Sequence, residues 1–172
     1  DHRTHITAAG GAGSAAWTNM SIEYKRATPD RIRLLVSTRI EVLRAANLLD
    51  SCVDMSEVAA QSEAYYREAL ANGSHTGILA FDGDAFVGAG GVSYYRVMPT
   101  FHNPTGHCAY IMNMYVRPAY RQRGIATAIL DVLVADARRQ GVGRIGLEAT
   151  DMGRPLYERY GFIAAGGEME LP

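Results

Sequence analysis

The spacing of apolar residues predicts three main helices. Apolar side chains recur every three or four positions over residues 29–47, 56–72 and 125–140, and this spacing places them on one face of a helix. A glycine follows the second and the third stretch, as is common where a helix ends. A shorter fourth helix is expected over residues 155–160. Each of these helices has one face to bury against another element.

Several further segments are apolar or alternating enough to predict strands. The expected strands cover residues 21–27, 76–81, 85–95, 107–116 and 144–149, with a final pair near Phe162 and over residues 168–171. The sequence Asp-Gly-Asp at residues 82–84 gives a strong hairpin signal between the second and third strands. The alternation of strands and helices favours a mixed α/β domain with one central sheet flanked by helices.

Two of the predicted strands carry unusual residues. The third strand contains Gly88, Gly90 and Gly91, which indicates either a bulge with a closely packed partner or a short, poorly formed strand. The fourth strand is apolar on both faces, and this is typical of a central, buried strand. Asn113 is the one strongly polar side chain in the middle of that strand. It is either a satisfied buried amide or part of a site.

The turn at residues 121–126, between the fourth strand and the third main helix, carries the clearest chemical signal. Gly124 lacks the Cβ that would keep a ligand away from the backbone. The start of the helix presents unpaired N–H groups and the positive end of a dipole. Arg121 and Arg123 stand beside it, which predicts a seat for a phosphate or pyrophosphate. The alternative is a plain turn with exposed arginines.

Other phosphate-binding motifs do not fit this turn. No Gly-Lys-Ser/Thr follows it, which excludes a Walker-type loop, and the glycine series of a dinucleotide-binding loop is missing. The order Arg-x-x-Gly-x-Ala after a strand instead resembles the acetyl-CoA signature of the GNAT superfamily of N-acyltransferases, with Arg121, Gly124 and Ala126 at its defining positions. Residues 156–162, Leu-Tyr-Glu-Arg-Tyr-Gly-Phe, resemble a later block of the same family. The resemblance covers residues 21–171.

This resemblance implies a GNAT-like fold, acetyl-CoA as co-substrate and a set of cofactor contacts. The backbone of the fourth strand would bind the pantetheine arm, and the Met114 N–H would polarise the thioester carbonyl as an oxyanion-hole donor. Thr150 stands where the family often has an Asn that contacts the cofactor. The implied cofactor-binding residues are Met114, Tyr115, Val116, Arg121, Gln122, Arg123, Gly124, Ile125, Ala126, Thr127, Arg154 and Tyr160.

Tyr157 occupies the family's position for the general acid. A thiol has a pKa near 8.5 and a tyrosine a pKa near 10, so a phenol is protonated at neutral pH and suited to protonate a leaving thiolate. The alternative is a packed aromatic residue on an amphipathic helix.

The general base is less clearly marked, and Glu148 is the leading candidate because strand alternation points it away from the face of its apolar neighbours. His75, His102 and His107 are weaker candidates. A solvated or salt-bridged Glu148 without a catalytic role is an equally good interpretation, and a water relay is then the alternative base.

Composition narrows the class of protein further. The chain has 172 residues, 48% of them hydrophobic, and a formal net charge of −1, so no basic field favours nucleic acid or acidic membranes. No apolar run is long enough to span a bilayer. Cys52 and Cys108 have no metal-ligand spacing, and we expect no metal and a cytoplasmic location. Residues 1–19 are interpreted as a flexible tail, either an expression remnant or a native extension, before a single domain over residues 20–172.

The leading hypothesis is an acetyl-CoA-dependent N-acetyltransferase in which a primary amine attacks the thioester directly, without an acyl-enzyme. The acceptor would be recognised by the first two helices and the loop at residues 96–106. A small-molecule amine is favoured over a protein N-terminus or lysine, and the protein is expected to be a monomer or homodimer. The rival hypothesis is a coenzyme A-binding sensor or interaction module that does not catalyse.

Overall fold

A computed structural model describes residues 22–172. One five-stranded sheet has the order β1-β2-β3-β4-β5, antiparallel up to β4 and parallel between β4 and β5. The strands are β1 (Ile22–Arg26), β2 (His75–Asp82), β3 (Ala85–Arg96), β4 (His107–Val116) and β5 (Arg144–Leu147). The helices are α1 (Ile32–Ala46), α2 (Ser56–Asn72), α3 (Ile125–Arg139) and α4 (Arg154–Tyr160), with 3-10 turns at Pro29–Arg31 and Pro118–Tyr120.

These elements confirm the mixed α/β prediction. The bounds of α2 are the expected ones, and Gly73 ends that helix in the left-handed conformation with φ 78°. The hairpin between β2 and β3 turns at Gly83, which has φ 59°. The predicted tail over residues 1–19 and the first residue of the first predicted strand, Ser21, lie outside the described residues.

Helices cover the two faces of the sheet and create two hydrophobic cores. On one face, α3 buries the apolar stripe that includes Ile129 and Leu133, both with no solvent exposure. On the other face, α1 buries Ile32 and Leu35 against Phe81 and Phe86 of the β2–β3 hairpin. The amphipathic spacing seen in the sequence therefore matches the faces that pack on the sheet.

Asp136 interrupts the apolar face of α3 and links that helix to the sheet. Its carboxylate accepts hydrogen bonds from Arg26 of β1 at 2.8 Å, Thr76 of β2 at 3.0 Å and Tyr94 of β3 at 2.5 Å. Burial alone would raise the pKa of Asp136, but these hydrogen bonds outweigh burial and hold the pKa at about 2. A buried carboxylate with this many donors fixes α3 against three strands.

The glycines of β3 mark both a bulge and a close contact, as predicted. The pairing of β3 with β4 shifts register between Ala89 and Gly91, which is the signature of a bulge. A Cβ built at Gly90 would lie 2.5 Å from Ile129 Cγ2 and 2.6 Å from Met114 Sδ. The side chains of Ile129 and Met114 occupy this space, so a side chain at position 90 would have to displace them.

Two strand predictions were wrong at the C-terminal side of the sheet. β5 ends at Leu147, so Glu148 lies just beyond the strand and not within it. The final pair expected near Phe162 and over residues 168–171 does not form, since residues 162–172 include no strand. Alternation marks a segment that is able to pair, but a strand also needs a partner edge.

Candidate active site

The candidate site is a cleft where β4 and β5 separate. β5 pairs with β4 only from Cys108 to Ile111, whereas β4 continues to Val116. The five residues Met112–Val116 therefore have no β5 partner, and they are only partly buried. The apolar pattern predicted that β4 is buried throughout, but the part without a β5 partner is only partly buried. Its free backbone edge is available to an extended ligand that hydrogen-bonds as a strand would.

A bulge lies at the point where the cleft opens. Asn113 has φ 61°, a left-handed conformation that asparagine tolerates better than most residues. Asn113 and Met114 have no partner in the β3 ladder, since Met112 pairs with Gly91 and Tyr115 with Ala89. Their peptide groups are thus released from the sheet, which is the local condition for an N–H that serves a ligand.

Helix α1 holds this bulge and the end of β4 in place. Arg39 Nη1 donates a hydrogen bond of 3.0 Å to Asn113 Oδ1. Two residues further along α1, Glu41 accepts two hydrogen bonds from Arg117, at 2.8 and 3.0 Å, and one from the Tyr115 hydroxyl at 3.3 Å. The Arg117 hydrogen bond lowers the pKa of Glu41, so the pair stays charged at neutral pH. These contacts were not predictable from local patterns, because their partners lie more than seventy positions apart.

The start of α3 has the features of an anion seat. Gly124 is its N-cap with φ 78°, no side chain caps the helix, and its first turn has no acidic residue. A Cβ built at Gly124 would meet nothing within 4 Å, so the space beside the exposed N–H groups is open. Arg121 Nε donates to the Val116 carbonyl at 3.1 Å, and the Arg123 guanidinium lies 5.0 Å from the Tyr120 ring centre. Positive charge and free N–H groups meet here, which fits a pyrophosphate.

Tyr157 has a packed ring and an accessible hydroxyl. Its ring stacks edge-on against Phe162 at a centre distance of 6.0 Å and packs against the core below α3. Within residues 22–172 no side chain hydrogen-bonds its hydroxyl, and no fully buried side-chain polar atom lacks a partner, so this hydroxyl reaches solvent. Burial raises the pKa of Tyr157, which keeps the phenol protonated at neutral pH.

Tyr160, on the same short helix, has a different environment. Its hydroxyl donates a hydrogen bond of 2.8 Å to Asp131 of α3. Burial and this hydrogen bond raise the pKa of Tyr160 to about 12. A proton held this firmly is poorly matched to a thiolate leaving group. The Tyr160 hydroxyl is therefore engaged with Asp131, whereas no side chain within residues 22–172 hydrogen-bonds the Tyr157 hydroxyl.

Other predicted contacts around α4 have local partners. Thr150 Oγ1 accepts a hydrogen bond from the Gly153 N–H at 3.1 Å and shapes the turn before α4, so it has a structural role. Arg154 lies 3.8 Å from Glu158, an exposed pair one helical turn apart.

A groove of about 1110 Å³ brings several of the predicted residues together. Tyr110, Glu148, Arg154, Tyr157 and Tyr160 all line it. Burial and the negative charge of Glu148 both raise the pKa of Tyr110, so these two side chains are close neighbours. Residues 114–116, at the end of β4, and residues 121–127, which follow β4 in the chain, do not line this groove.

The three histidines considered as bases lie elsewhere. His75 is buried, with its ring 5.4 Å from both Tyr65 and Tyr66 of α2. Tyr65 also bonds His75 Nδ1 at 2.9 Å and Ser93 Oγ at 2.6 Å. Burial, then the charge of Arg39, lowers the pKa of His75 to about 4, so it is neutral at physiological pH and a weak base.

The remaining two histidines also lie outside the groove. His102 lies in an exposed loop against Phe101, and His107 is an exposed residue at the first position of β4. Neither residue lines the groove that contains Glu148. Sequence reasoning did not find the Tyr65–His75–Ser93 cluster, because single polar residues on separate elements carry no pattern.

Two further findings concern metals and membranes. Within residues 22–172 no group of three or more His, Cys, Asp or Glu side chains is arranged to hold a metal ion. No helix in the described part of the chain is long and apolar enough to cross a membrane.

The described chain combines a cleft, a bulge and an uncapped helix start, and comparison with known proteins identifies the family. The model of the acetyltransferase (GNAT) family matches residues 43–162. The chain therefore belongs to the GNAT acetyltransferase family, and the resemblance noted in the sequence is confirmed. No curated protein matches the chain.

Solved structures show the same fold. A predicted acetyltransferase of Clostridium acetobutylicum, crystallised with acetyl-CoA, is 32% identical with a TM-score of 0.80 over 88% of this chain and 96% of its own. A GCN5-related N-acetyltransferase of Ralstonia eutropha is 29% identical with a TM-score of 0.73 over 88% and 97%. Glucosamine-6-phosphate N-acetyltransferase of Arabidopsis thaliana, at 13% identity and a TM-score of 0.66 over 88% and 97%, shares the fold.

Proposed function

We propose that the protein is an acetyl-CoA-dependent N-acetyltransferase acting on a primary amine of a small molecule. The observation that carries this proposal is the coincidence of three features along β4: a free backbone edge, a bulge at Asn113 and an anion seat at the start of α3. The Clostridium relative crystallised with acetyl-CoA supports the choice of cofactor.

The chain would bind acetyl-CoA through the end of β4 and the start of α3. The N–H groups at the start of α3, with Arg121 and Arg123 beside them, would bind the pyrophosphate. The backbone of residues 114–116 would hydrogen-bond the amides of pantetheine along the free edge of β4. The pantetheine contacts need backbone groups of β4 without a β5 partner, and these are present. The pyrophosphate contacts need a helix start without a side-chain cap, and α3 has one.

The reaction needs one proton donor, one proton acceptor and one hydrogen bond to the carbonyl oxygen. The neutral amine nitrogen attacks the thioester carbon, and the C–S bond breaks as the C–N bond forms. Tyr157 would give its proton to the departing thiolate sulfur. Glu148, directly or through water, would first accept a proton from the ammonium form of the acceptor. The second proton, which leaves the nitrogen as the amide forms, would return to the Tyr157 phenolate through solvent. The Met114 N–H would stabilise the negative charge that develops on the carbonyl oxygen.

The acceptor would approach from the α1–α2 side of the sheet. Arg39 of α1 and Tyr65 of α2 lie on that side. The loop at residues 97–106 joins β3 to β4 at the end of the sheet opposite the phosphate turn. A small-molecule amine is our preferred acceptor class. The fold is shared with glucosamine-6-phosphate and aminoglycoside acetyltransferases, which by name act on small molecules.

The test is release of free thiol from acetyl-CoA in the presence of a panel of amines. The panel includes aminosugars, aminoglycosides, polyamines, amino acids and peptides with free N-termini or lysines. Thiol release with a small amine, and mass spectrometry of an N-acetylated product, would support the proposal. Acetyl-CoA binding in calorimetry without turnover on any amine would favour the sensor instead. Turnover only on peptides would move the acceptor to the protein class.

A further inference from the structure

Arg39 places a positive charge on the face of α1 that packs against the sheet. The buried apolar residues of this helix are Ile32, Leu35 and Val42. Arg39 lies four positions after Leu35 and three positions before Val42, so it shares their side of the helix. Its side chain is accordingly only partly exposed. A charge in this position loses part of its hydration, which is unfavourable unless another group compensates it.

No carboxylate of the described chain pairs with this charge. The salt bridges within residues 22–172 do not include Arg39. Glu41, the acidic residue of α1, accepts hydrogen bonds from Arg117 at both of its carboxylate oxygens, so it is already paired. Arg39 therefore has no anionic partner in this part of the chain.

Three neighbours of Arg39 are neutral side chains. Arg39 Nη1 donates a hydrogen bond of 3.0 Å to the amide oxygen of Asn113. Burial raises the pKa of Tyr66, and the charge of Arg39 opposes this rise. Burial, then the charge of Arg39, lowers the pKa of His75 to about 4. Tyr66 and His75 are both uncharged at neutral pH, so these neighbours do not offset the positive charge.

Most hydrogen-bond donors of Arg39 are available to a ligand. A guanidinium carries five N–H donors in a planar fork, and within residues 22–172 the Arg39 side chain donates only to Asn113. Such a fork binds a carboxylate or a phosphate through two parallel hydrogen bonds. Asn113 directly precedes Met114, whose N–H is the proposed donor to the thioester carbonyl. An anion bound by Arg39 would therefore lie close to the carbon that the amine attacks.

We infer, on the basis of the proposed function, that Arg39 binds an anionic group of the acceptor and selects a small amine that carries a carboxylate or a phosphate near the amine. This anion would supply the compensating charge that residues 22–172 do not provide for Arg39. Acceptors with several amines and no anion would instead be repelled by the same charge. Arg39 would thus determine which amine is acetylated, in addition to holding the bulge at Asn113.

The test compares pairs of amines that differ in the anionic group. Amino acids are paired with their carboxamides, and glucosamine 6-phosphate is paired with glucosamine, so the carboxylate and the phosphate are tested separately. Thiol release gives kcat/KM for each amine, and calorimetry in the presence of coenzyme A measures acceptor binding without turnover. In at least one pair the unchanged chain should prefer the anionic member by roughly 10- to 100-fold, as expected for a charge-assisted hydrogen bond.

Arg39→Gln should abolish this preference. Loss of the hydrogen bond to Asn113 alone would lower the rates for both members of a pair by the same factor, so the ratio of the two rates separates anion binding from support of the bulge. Arg39→Lys keeps the charge but not the planar fork, and it should retain part of the preference. The matched control is Arg33→Gln, which removes an exposed positive charge from the same helix and should leave the ratio unchanged. Circular dichroism checks that each variant folds.

Two results would overturn the inference. One is that the unchanged chain binds and acetylates the two members of every pair equally well, and the other is a preference that withstands Arg39→Gln. Acetylation of neutral amines would in either case leave the proposed function intact. If no amine is acetylated, the proposed function fails, and calorimetry decides the inference by itself. Selective binding of an anionic amine that is lost in Arg39→Gln would support the inference, and binding of neither member of any pair would overturn it.

Discussion

Replacing Tyr157 by Phe separates catalysis from binding. The substitution keeps a ring that packs 6.0 Å from Phe162 and removes a hydroxyl that no side chain within residues 22–172 hydrogen-bonds. Stability should change by less than about 0.5 kcal/mol, since no hydrogen bond is lost and no cavity is made. Acetyl-CoA affinity should also stay the same, because a general acid acts only as the C–S bond breaks.

The expected effect is confined to turnover. General acid catalysis contributes roughly 10²- to 10⁴-fold, which corresponds to about 3 to 5 kcal/mol of transition-state stabilisation. At saturating amine the rate of thiol release should fall by that factor, and KM for acetyl-CoA should not change. Burial raises the pKa of Tyr157, so turnover of the unchanged enzyme should fall only at strongly alkaline pH. The residual activity of Tyr157→Phe should not show that fall.

The matched control is Tyr24→Phe. Tyr24 is also partly buried, burial also raises its pKa, and it lies on β1, at the opposite edge of the sheet from β5. The control loses a hydroxyl from a similar environment away from the cleft and should keep full turnover. Near-normal turnover in Tyr157→Phe would refute the acid role and leave Tyr157 as a core aromatic residue, with solvent as the proton source.

Three other predictions concern the seat, the bulge and the buried carboxylate. Gly124→Val should abolish acetyl-CoA binding in calorimetry. The control Gly141→Val, at a matched φ of 71° beyond the other end of α3, should lose a similar stability of about 1–2 kcal/mol and keep binding. Equal affinities in the two variants would exclude the anion seat. Asn113→Gly, which tolerates positive φ, should keep most turnover, and Asn113→Val should lose about 10²-fold or more by misplacing the Met114 N–H; equal rates would remove the bulge from the mechanism. Asp136→Asn should lower the free energy of unfolding at neutral pH by about 2 kcal/mol. Because the folded pKa of Asp136 is lowered to about 2 from 3.8, its contribution is present above pH 3.8 and is lost as the pH falls through about 2; denaturant curves that differ equally at every pH would contradict this.

Local signals explain which parts of the fold were predictable from the sequence. The bounds of α2 and the β2–β3 hairpin followed from helical spacing and turn residues that lie within a few positions of each other. Asp136 had a signal that was available, since it falls seven positions after Ile129 and three after Leu133, on the apolar face of α3. A charge on that face predicts a buried carboxylate with partners.

Contacts between distant residues explain what was missed. Asn113 was noted as unusual, but Arg39, which holds its side chain, is 74 positions away. The predicted strand over residues 168–171 has the correct alternation and no partner within the described chain. Glu148 was placed in a strand because its neighbours are apolar, whereas the ladder with β4 stops one residue earlier. In each case the missing information is which backbone edge or side chain comes near from another part of the chain.

The end of β4 has no β5 partner, and this both creates the cleft and removes backbone hydrogen bonds that would stabilise the sheet. Residues 112–116 forgo a ladder with β5, and Asn113 has a conformation that most residues avoid. Arg39 and Glu41 of α1 tie this part of β4 from one face. On the other face, the Asp136 cluster fixes α3, whose first residues form the anion seat. The contacts that stabilise the fold are therefore placed where they keep β4 open and keep the start of α3 in position, so weakening them should reduce acetyl-CoA affinity before the protein unfolds.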